Sequence, residues 1–393
     1  MMQTDVFLTL GSLMPGGVTG WLEGRSTWVL ALFCVGAMVV VIKGADWLVE
    51  GAAGIAKRLG MPEVVVGATI VSLGTTSPEA AVSVLAAFSG DAGLAIGNGV
   101  GSIIADTGLI FGMGCLLSRL PADRFVLTRQ GWVQVGSAVL LAGLCYFLWA
   151  TQGSEATIDR WAGVVFTGLL IGYLAISVRW ARQHPVGSDL SAAVAEVDAP
   201  ALPSEKSTPE SPGSGHPPAA GSVGHLEHGL GLLIWMGLGG LLLVIVSGDL
   251  LVSSVTTVAE RWGIPDAVIA STIVALGTSL PELVTGITAI RKGHPELLVG
   301  NVIGADILNV LFVIGVSALA APLPLIETDA AGVMIPGGNT ILTVMLPTML
   351  VMLVFMRACI FRAAGTGHFE RWMGGPLVAM YLGYLVVSYW VSG

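Results

Sequence analysis

Gly74-Thr75-Thr76-Ser77-Pro78-Glu79 places a carboxylate and three hydroxyls around a proline inside an otherwise apolar run. The run covers 64–87, long enough to cross a hydrocarbon core of roughly 30 Å as a helix rising about 1.5 Å per residue. Glu79 then lies at membrane depth, where an ionisable group costs about 3 kcal/mol on insertion scales and faces a partner or a watery cavity. Pro78 lacks an N–H and its ring clashes with the carbonyl of Gly74, so the helix is expected to break and leave carbonyls open. Carboxylate, hydroxyl and carbonyl oxygens are the ligands that hard cations such as Ca²⁺ and Na⁺ take. For this segment alone the alternative is a packed proline kink with Glu79 hydrogen-bonded internally.

The segment occurs twice. Residues 270–282 repeat 67–79 at an offset of 203, so that Gly277-Thr278-Ser279-Leu280-Pro281-Glu282 answers the first motif. The same offset pairs Asp46 with Asp249, Pro62 with Pro265, Gly97-Asn98 with Gly300-Asn301, Gly101 with Gly304, and Asp106 with Asn309; about a third of positions between Lys43 and Gly112 match their partners without a gap. An internal repeat of this kind marks a transporter built from two halves whose interrupted helices meet near the bilayer midplane. Two such helices bring Glu79 and Glu282 to one site.

Composition fixes the class. Hydrophobic residues make up 54% and charged residues 11%, with a mean hydropathy of +0.83, whereas about a quarter of the residues of a soluble domain are charged. The chain reads as an all-α, multi-pass membrane protein. Its net charge of −9 gives no footprint for nucleic acid. The four cysteines lie in apolar segments without paired spacing, so neither disulfides nor metal ligation is expected. All six histidines fall in expected loops, which leaves no histidine relay in the membrane.

Ten spans are expected, at 28–56, 64–87, 92–117, 131–150 and 158–178 in the first half and 229–259, 267–290, 297–320, 340–361 and 376–391 in the second. An N-terminal tail (1–27), a first five-helix repeat (28–182), a linker (183–228) and a second repeat (229–393) follow. The tail carries no convincing cleavable signal. The linker is rich in Pro, Gly, Ser and Ala and reads as disordered. Placing the N-terminus outside puts 13 Lys and Arg residues in cytoplasmic loops against 3 outside, which favours both termini outside and the linker inside. Five spans per half also make the second repeat enter the membrane inverted.

These paired motifs, completed by Gly97-Asn98-Gly99-Val100-Gly101-Ser102 and Gly300-Asn301-Val302-Ile303-Gly304-Ala305, resemble the two alpha repeats of the calcium/cation antiporter superfamily, in particular its prokaryotic sodium/calcium exchangers. Gly44-Ala45-Asp46 resembles the first-helix motif of that family. The resemblance implies that Glu79 and Glu282 are the central carboxylates shared by Ca²⁺ and Na⁺, and that Thr75 and Thr278 add oxygens beside them. It puts the backbone-carbonyl ligands at Ser72 and Ala275, adjacent hydroxyls at Thr76 and Ser279, and a sodium ligand at Ser102. It further implies an inner-membrane protein whose partners are the transported ions and the lipid bilayer, with no cofactor and no obligate protein partner.

Two departures from the family bear on the coupling ion. Many members carry Ser-Asn where this chain has Ser102-Ile103 and Ala305-Asp306, so Ala305 cannot supply a sodium-binding hydroxyl unless water or Asp306 substitutes. Exchangers often carry Asn in the first repeat and Asp in the second, whereas here Asp106 and Asn309 stand in reverse; both are kept as site residues. Asp106 is either a third negative charge or a protonated hydrogen-bonding partner. The reading is therefore Ca²⁺/Na⁺ exchange, with Ca²⁺/H⁺ exchange on the same fold as the alternative and a cation channel below it. Three small-residue pairs, Gly97/Gly101, Gly108/Gly112 and Gly300/Gly304, read as close-packing surfaces, Asn98 and Asn301 as helix caps, and Asp46 as a structural partner of Lys43.

Overall fold

A computed structural model describes residues 24–88, 90–183, 229–261, 279–326 and 338–392. The tail and linker expected at 1–27 and 183–228 fall almost wholly outside these, as do Thr278 and Ala275. Among the described residues the chain is helical nearly throughout. The helices are α1 (Thr27–Leu59), α2 (Glu63–Thr75), α3 (Ser77–Phe88), α4 (Ala92–Leu117), α5 (Arg124–Gln152), α6 (Arg160–Gln183), α7 (Leu230–Arg261), α8 (Leu280–Lys292), α9 (Pro295–Ala320), α10 (Ile341–Thr366) and α11 (Gly374–Ser392). Seven of these are long and apolar enough to cross a membrane, and α2 with α3 forms an eighth, bent by 42°. The break falls at Thr76, just before Pro78, as the missing N–H requires. Ser77 Oγ takes up the Leu73 carbonyl at 2.6 Å, one of the acceptors that the break exposes.

The sequence repeat is carried into the helix boundaries. Among the described residues α1 and α7, α3 and α8, and α4 and α9 begin at the same offset of 203 residues, and α4 and α9 also end at it. Each member of the last pair contains a π-helical turn, beginning on Asp106 in α4 and on Asn309 in α9. Such a turn widens the helix by one residue and re-aims the side chains around it, a device common at functional sites.

Packing is graded from centre to rim. In α9 83% of the apolar window is buried and in α4 72%, against 28% in α1 and 22% in α7, so α4 and α9 form the centre. Large apolar side chains stand exposed around the rim, among them Leu32, Trp132, Phe147, Trp235 and Val386, as a lipid-facing surface requires. The central helices approach closely because they lack side chains at the crossing. A Cβ on Gly300 would lie 2.1 Å from the Val64 carbonyl oxygen, and one on Gly304 2.5 Å from Ala68. Gly108 and Gly112 likewise meet α11 at close range, but Gly97 and Gly101 do not: the nearest atom to either is the flexible Met345 methyl, at ordinary contact distance. The first Gly-x-x-x-Gly pair is therefore not a tight crossing, because a thioether chain fills the space opposite it.

Short ties fix the ends. Strands β1 (Thr157–Ile158) and β2 (Leu323–Pro324) pair antiparallel near one end of α5. At its other end, Ala122 donates to Gly367 O and Phe369 to Leu120 O. Gly293 (φ 81) turns the chain between α8 and α9. Next to it, Lys292 pairs with Asp46 at 3.6 Å and also with Glu50, and His294 Nδ1 lies 3.0 Å from Glu63. The hydrogen bond to Glu63 raises the His294 pKa against the opposing effect of partial burial. Lys43 reaches Asp46 at 3.7 Å, the structural pairing expected of it.

Gly300→Ala should lower the thermal unfolding midpoint of the detergent-purified protein by several degrees, since overpacking against backbone costs about 1–3 kcal/mol or more. Gly136, with nothing within 4 Å of an added Cβ, is the control: Gly136→Ala should leave the midpoint unchanged or raise it. Equal midpoints for the two variants would contradict the close crossing of α2 and α9.

Candidate cation-binding site

Glu79 occupies the first turn of α3 and Glu282 the first turn of α8. Both carboxylates thus sit where unpaired N–H groups and the helix dipole favour negative charge. Each is 1% exposed. Thr76 Oγ1, at the break before α3, donates to Glu282 Oε1 at 3.4 Å, so the two repeated motifs meet. Glu79 is within Coulombic range of Glu282 and Asp106, and Asp106 of Glu282 and Asp306. None of these four carboxylates forms an ion pair with a basic residue among the described residues.

Among the described residues, several of their oxygens have no hydrogen-bond partner. Both carboxylate oxygens of Glu79, Oε2 of Glu282, Oδ1 of Asp106, Oδ1 of Asp306, Oδ1 of Asn309 and the Ser279 hydroxyl are buried without a hydrogen bond. Buried polar atoms in a folded protein are nearly always paired, and an unpaired buried charge is costly. Orphaned acceptors concentrated at the starts of α3 and α8 and on the neighbouring helices are the oxygen chemistry that a cation takes. No three His, Cys, Asp or Glu side chains among the described residues are grouped to hold a metal alone.

Among the remaining expected residues, Ser72 and Thr75 are fully buried on α2 and Thr76 just after it, and Ser102 and Asp106 on α4, Ser279 before α8 and Asn309 on α9 are also buried. The Thr75 hydroxyl is engaged by Asn301 Oδ1 at 3.3 Å and by the Val71 carbonyl at 3.2 Å. Ser72 Oγ reaches the Thr69 carbonyl at 3.4 Å. Asn98 Nδ2 donates to the Glu79 carbonyl at 3.1 Å and to Ser83 Oγ at 2.9 Å. Rather than capping helix ends, Asn98 and Asn301 brace α4 against α3 and α9 against α2.

One oxygen of Asp306, next to Ala305, is committed elsewhere. Its Oδ2 accepts from Thr107 Oγ1 at 2.7 Å and from Gln134 Nε2 at 2.6 Å. Neither Thr107 nor Gln134 was an expected site residue. The available signal was Gln130-x-x-x-Gln134, two amides one turn apart on one face of an apolar span, both of them buried. Thr285, one turn beyond Glu282, is another buried and unpartnered hydroxyl that the motif does not mark.

The family model described as sodium/calcium exchanger protein matches residues 28–179 and 232–390. The chain belongs to the sodium/calcium exchanger family. Among its relatives, the sodium/calcium exchanger MaX1 of Methanosarcina acetivorans is 31% identical over 90% of this chain and 97% of its own length. The inner membrane protein YrbG of Escherichia coli is 29% identical over 92% and 97%. The solved structure of the sodium-calcium exchanger NCX_Mj superposes with a TM-score of 0.68 at 23% identity, covering 92% of this chain and 99% of that one, which establishes a shared fold. Membership makes this exchanger-family chain a multi-pass membrane protein and a cation antiporter.

Replacing either central carboxylate by its isosteric amide should remove Ca²⁺ binding without unfolding the protein. At about a hundred times its Kd, Ca²⁺ should add about 2.7 kcal/mol to the wild-type stability, read as a rise in the unfolding midpoint, and Glu79→Gln or Glu282→Gln should lose most of that rise. An undiminished Ca²⁺-dependent shift in both variants would remove the assigned site.

Proposed function

We propose that this chain exchanges Ca²⁺ for Na⁺ across the cytoplasmic membrane by alternating access. The carrying observation is the set of unpartnered, buried oxygens on Glu79 and Glu282, from the two repeated motifs that meet at the Thr76 break. In this reading ten spans form two inverted five-helix halves, with both termini outside and the linker in the cytoplasm. The ligands are Glu79, Glu282, Thr75, Thr278, Thr76, Ser279, Ser102, Asp106 and Asn309, with backbone carbonyls at Ser72 and Ala275. MaX1, described as a sodium/calcium exchanger, supports the choice of ions.

The chemistry follows from charge. One Ca²⁺ or two Na⁺ neutralise the same pair of glutamates, so either loaded form can pass between inward- and outward-facing states with its carboxylates compensated. The ion-free site carries bare negative charge in a low-dielectric layer and resists that passage. Exchange rather than leak is the consequence. Two opposed carboxylates also hold a divalent ion too firmly for the rapid release that conduction needs, which argues against a channel.

A second reading, Ca²⁺/H⁺ exchange, is favoured by one observation. Ala305 stands where the second repeat would supply a sodium-binding hydroxyl, and one of the two oxygens of the adjacent Asp306 is committed to Thr107 and Gln134.

Ca²⁺ uptake into proteoliposomes separates these readings. An imposed Na⁺ gradient with pH clamped should drive uptake at least tenfold above a choline control, and a pH gradient alone should not. Uptake driven only by the pH gradient would replace Na⁺ with H⁺. Single-channel currents in a planar bilayer would overturn exchange altogether.

A further inference from the structure

One buried charge of the opposite sign stands apart from the acidic centre. Arg357, on α10, is 5% exposed, and a guanidinium keeps its proton in a protein interior. It lies two and a half turns before the end of α10, about 14 Å along the axis, in a helix long and apolar enough to cross a membrane. Among the described residues no Asp or Glu pairs with it. Nη1 reaches the Leu127 carbonyl at 3.5 Å, a long contact for an N–H donor, and Nε and Nη2 are buried without a hydrogen bond. An arginine at membrane depth without a counter-charge is costly.

The surroundings make room for this side chain and leave its charge uncompensated. The rings of Trp132 on α5 and Phe361 on α10 each have their centroid 4.3 Å from Cζ, close enough to attract the cation, but they offer its N–H groups no oxygen. A Cβ on Gly131 would come within 2.5 Å of Nη1, so glycine there leaves the space that the guanidinium fills. Trp132 and Phe361 are each more than half exposed on the rim. The groups flanking the guanidinium are therefore side chains standing in lipid, free to rotate aside without moving a helix.

This end of the bundle is also basic. Hydrogen bonds from Ala122 to Gly367 O and from Phe369 to Leu120 O join the α4–α5 and α10–α11 turns. Exposed Arg119, Arg124 and Arg371 lie in or beside those turns, together with Asp123 and the ion pair of Arg362 with Glu370. Basic groups at a membrane surface gather anionic lipids.

We propose that the edge of α5 and α10 binds one anionic phospholipid, whose phosphate takes the free Nε and Nη2 donors of Arg357 between the Trp132 and Phe361 rings. Those two donors share one edge of the guanidinium, the fork that grips two phosphate oxygens side by side. The acyl chains run along the exposed ring faces. The phosphate brings the negative charge that the fold does not supply, whereas a zwitterionic lipid carries a cation of its own and compensates Arg357 less.

The test follows thermal unfolding of the purified full chain in neutral detergent micelles doped with phosphatidylglycerol or phosphatidylcholine at equal mole fraction. Phosphatidylglycerol should raise the midpoint a few degrees above phosphatidylcholine. Arg357→Met keeps a long side chain without its charge and should lose most of that difference, with a midpoint in phosphatidylcholine that is unchanged or higher because a buried unpaired charge is gone. Arg160→Gln, at the other end of the bundle, should keep the difference. An equal lipid difference in wild type and Arg357→Met overturns the site, and so does its equal loss in Arg160→Gln. A shift of the same size from inorganic phosphate in undoped micelles also overturns it, by making the occupant a free anion. If Arg357→Met does not fold, photoactivatable phosphatidylglycerol on the wild type decides. Crosslinks should fall on peptides holding Trp132 or Phe361 and be displaced by phosphatidylglycerol but not by phosphatidylcholine, and crosslinks elsewhere only would overturn the proposal.

Discussion

The structure depends on keeping acidic side chains ionisable in a place where charge is unfavourable. Glu79, Glu282, Asp106 and Asp306 are each 1% exposed, none is ion-paired among the described residues, and each keeps at least one oxygen unbonded. A fold selected for stability alone would replace such groups with hydrocarbon. Their retention makes sense if the missing positive charge is cargo, and the surrounding architecture can be read as what prevents the site from collapsing onto itself. Helix N-termini at Ser77 and Leu280 supply dipoles beside the glutamates. Asn98 and Asn301 tie the broken helices to α4 and α9 through groups that are not carboxylates, so the acidic oxygens remain free.

Backbone geometry and chemistry are coupled at the same residues. The π-helical turns beginning on Asp106 and Asn309 put local widening where the two central helices carry their polar side chains. Close approach at Gly300 and Gly304 draws α9 onto α2, which brings Asn301 within reach of Thr75. Small residues therefore do more than pack: they set the spacing at which α9 meets α2 beside the buried carboxylates. The rim helices α1 and α7 are the least enclosed of the membrane-length helices. Lys292 joins α1 to the α8–α9 turn through partly exposed ion pairs, which contribute little each.

Much of this was legible in the sequence, for physical reasons. A carboxylate beside a proline in a membrane-length apolar run is expensive enough to be informative on its own, and finding it twice in register tied Glu79 to Glu282. The break at Thr76 follows from Pro78, and the offset of 203 residues reappears in the bounds of α4 and α9. The π-helical turns were not legible, because in a stretch where nearly every position is apolar no periodicity distinguishes a wider turn from an ordinary one. The Thr107 and Gln134 contacts to Asp306 were missed because their partners are far apart in the chain and in the case of Gln134 lie outside the repeat. Gly97 and Gly101 look like a crossing motif, yet the motif cannot say that Met345 will occupy the space opposite.

In the proposed reading, exchange on this fold turns on one metal ion held jointly by the two motifs. Crystals of the full chain grown with Ca²⁺ and measured at a long wavelength, where calcium scatters anomalously, locate it directly. The expected result is an anomalous peak about 2.3–2.6 Å from carboxylate oxygens of both Glu79 and Glu282. A peak elsewhere, or the two side chains turned apart with dry hydrophobic packing between them, would contradict it.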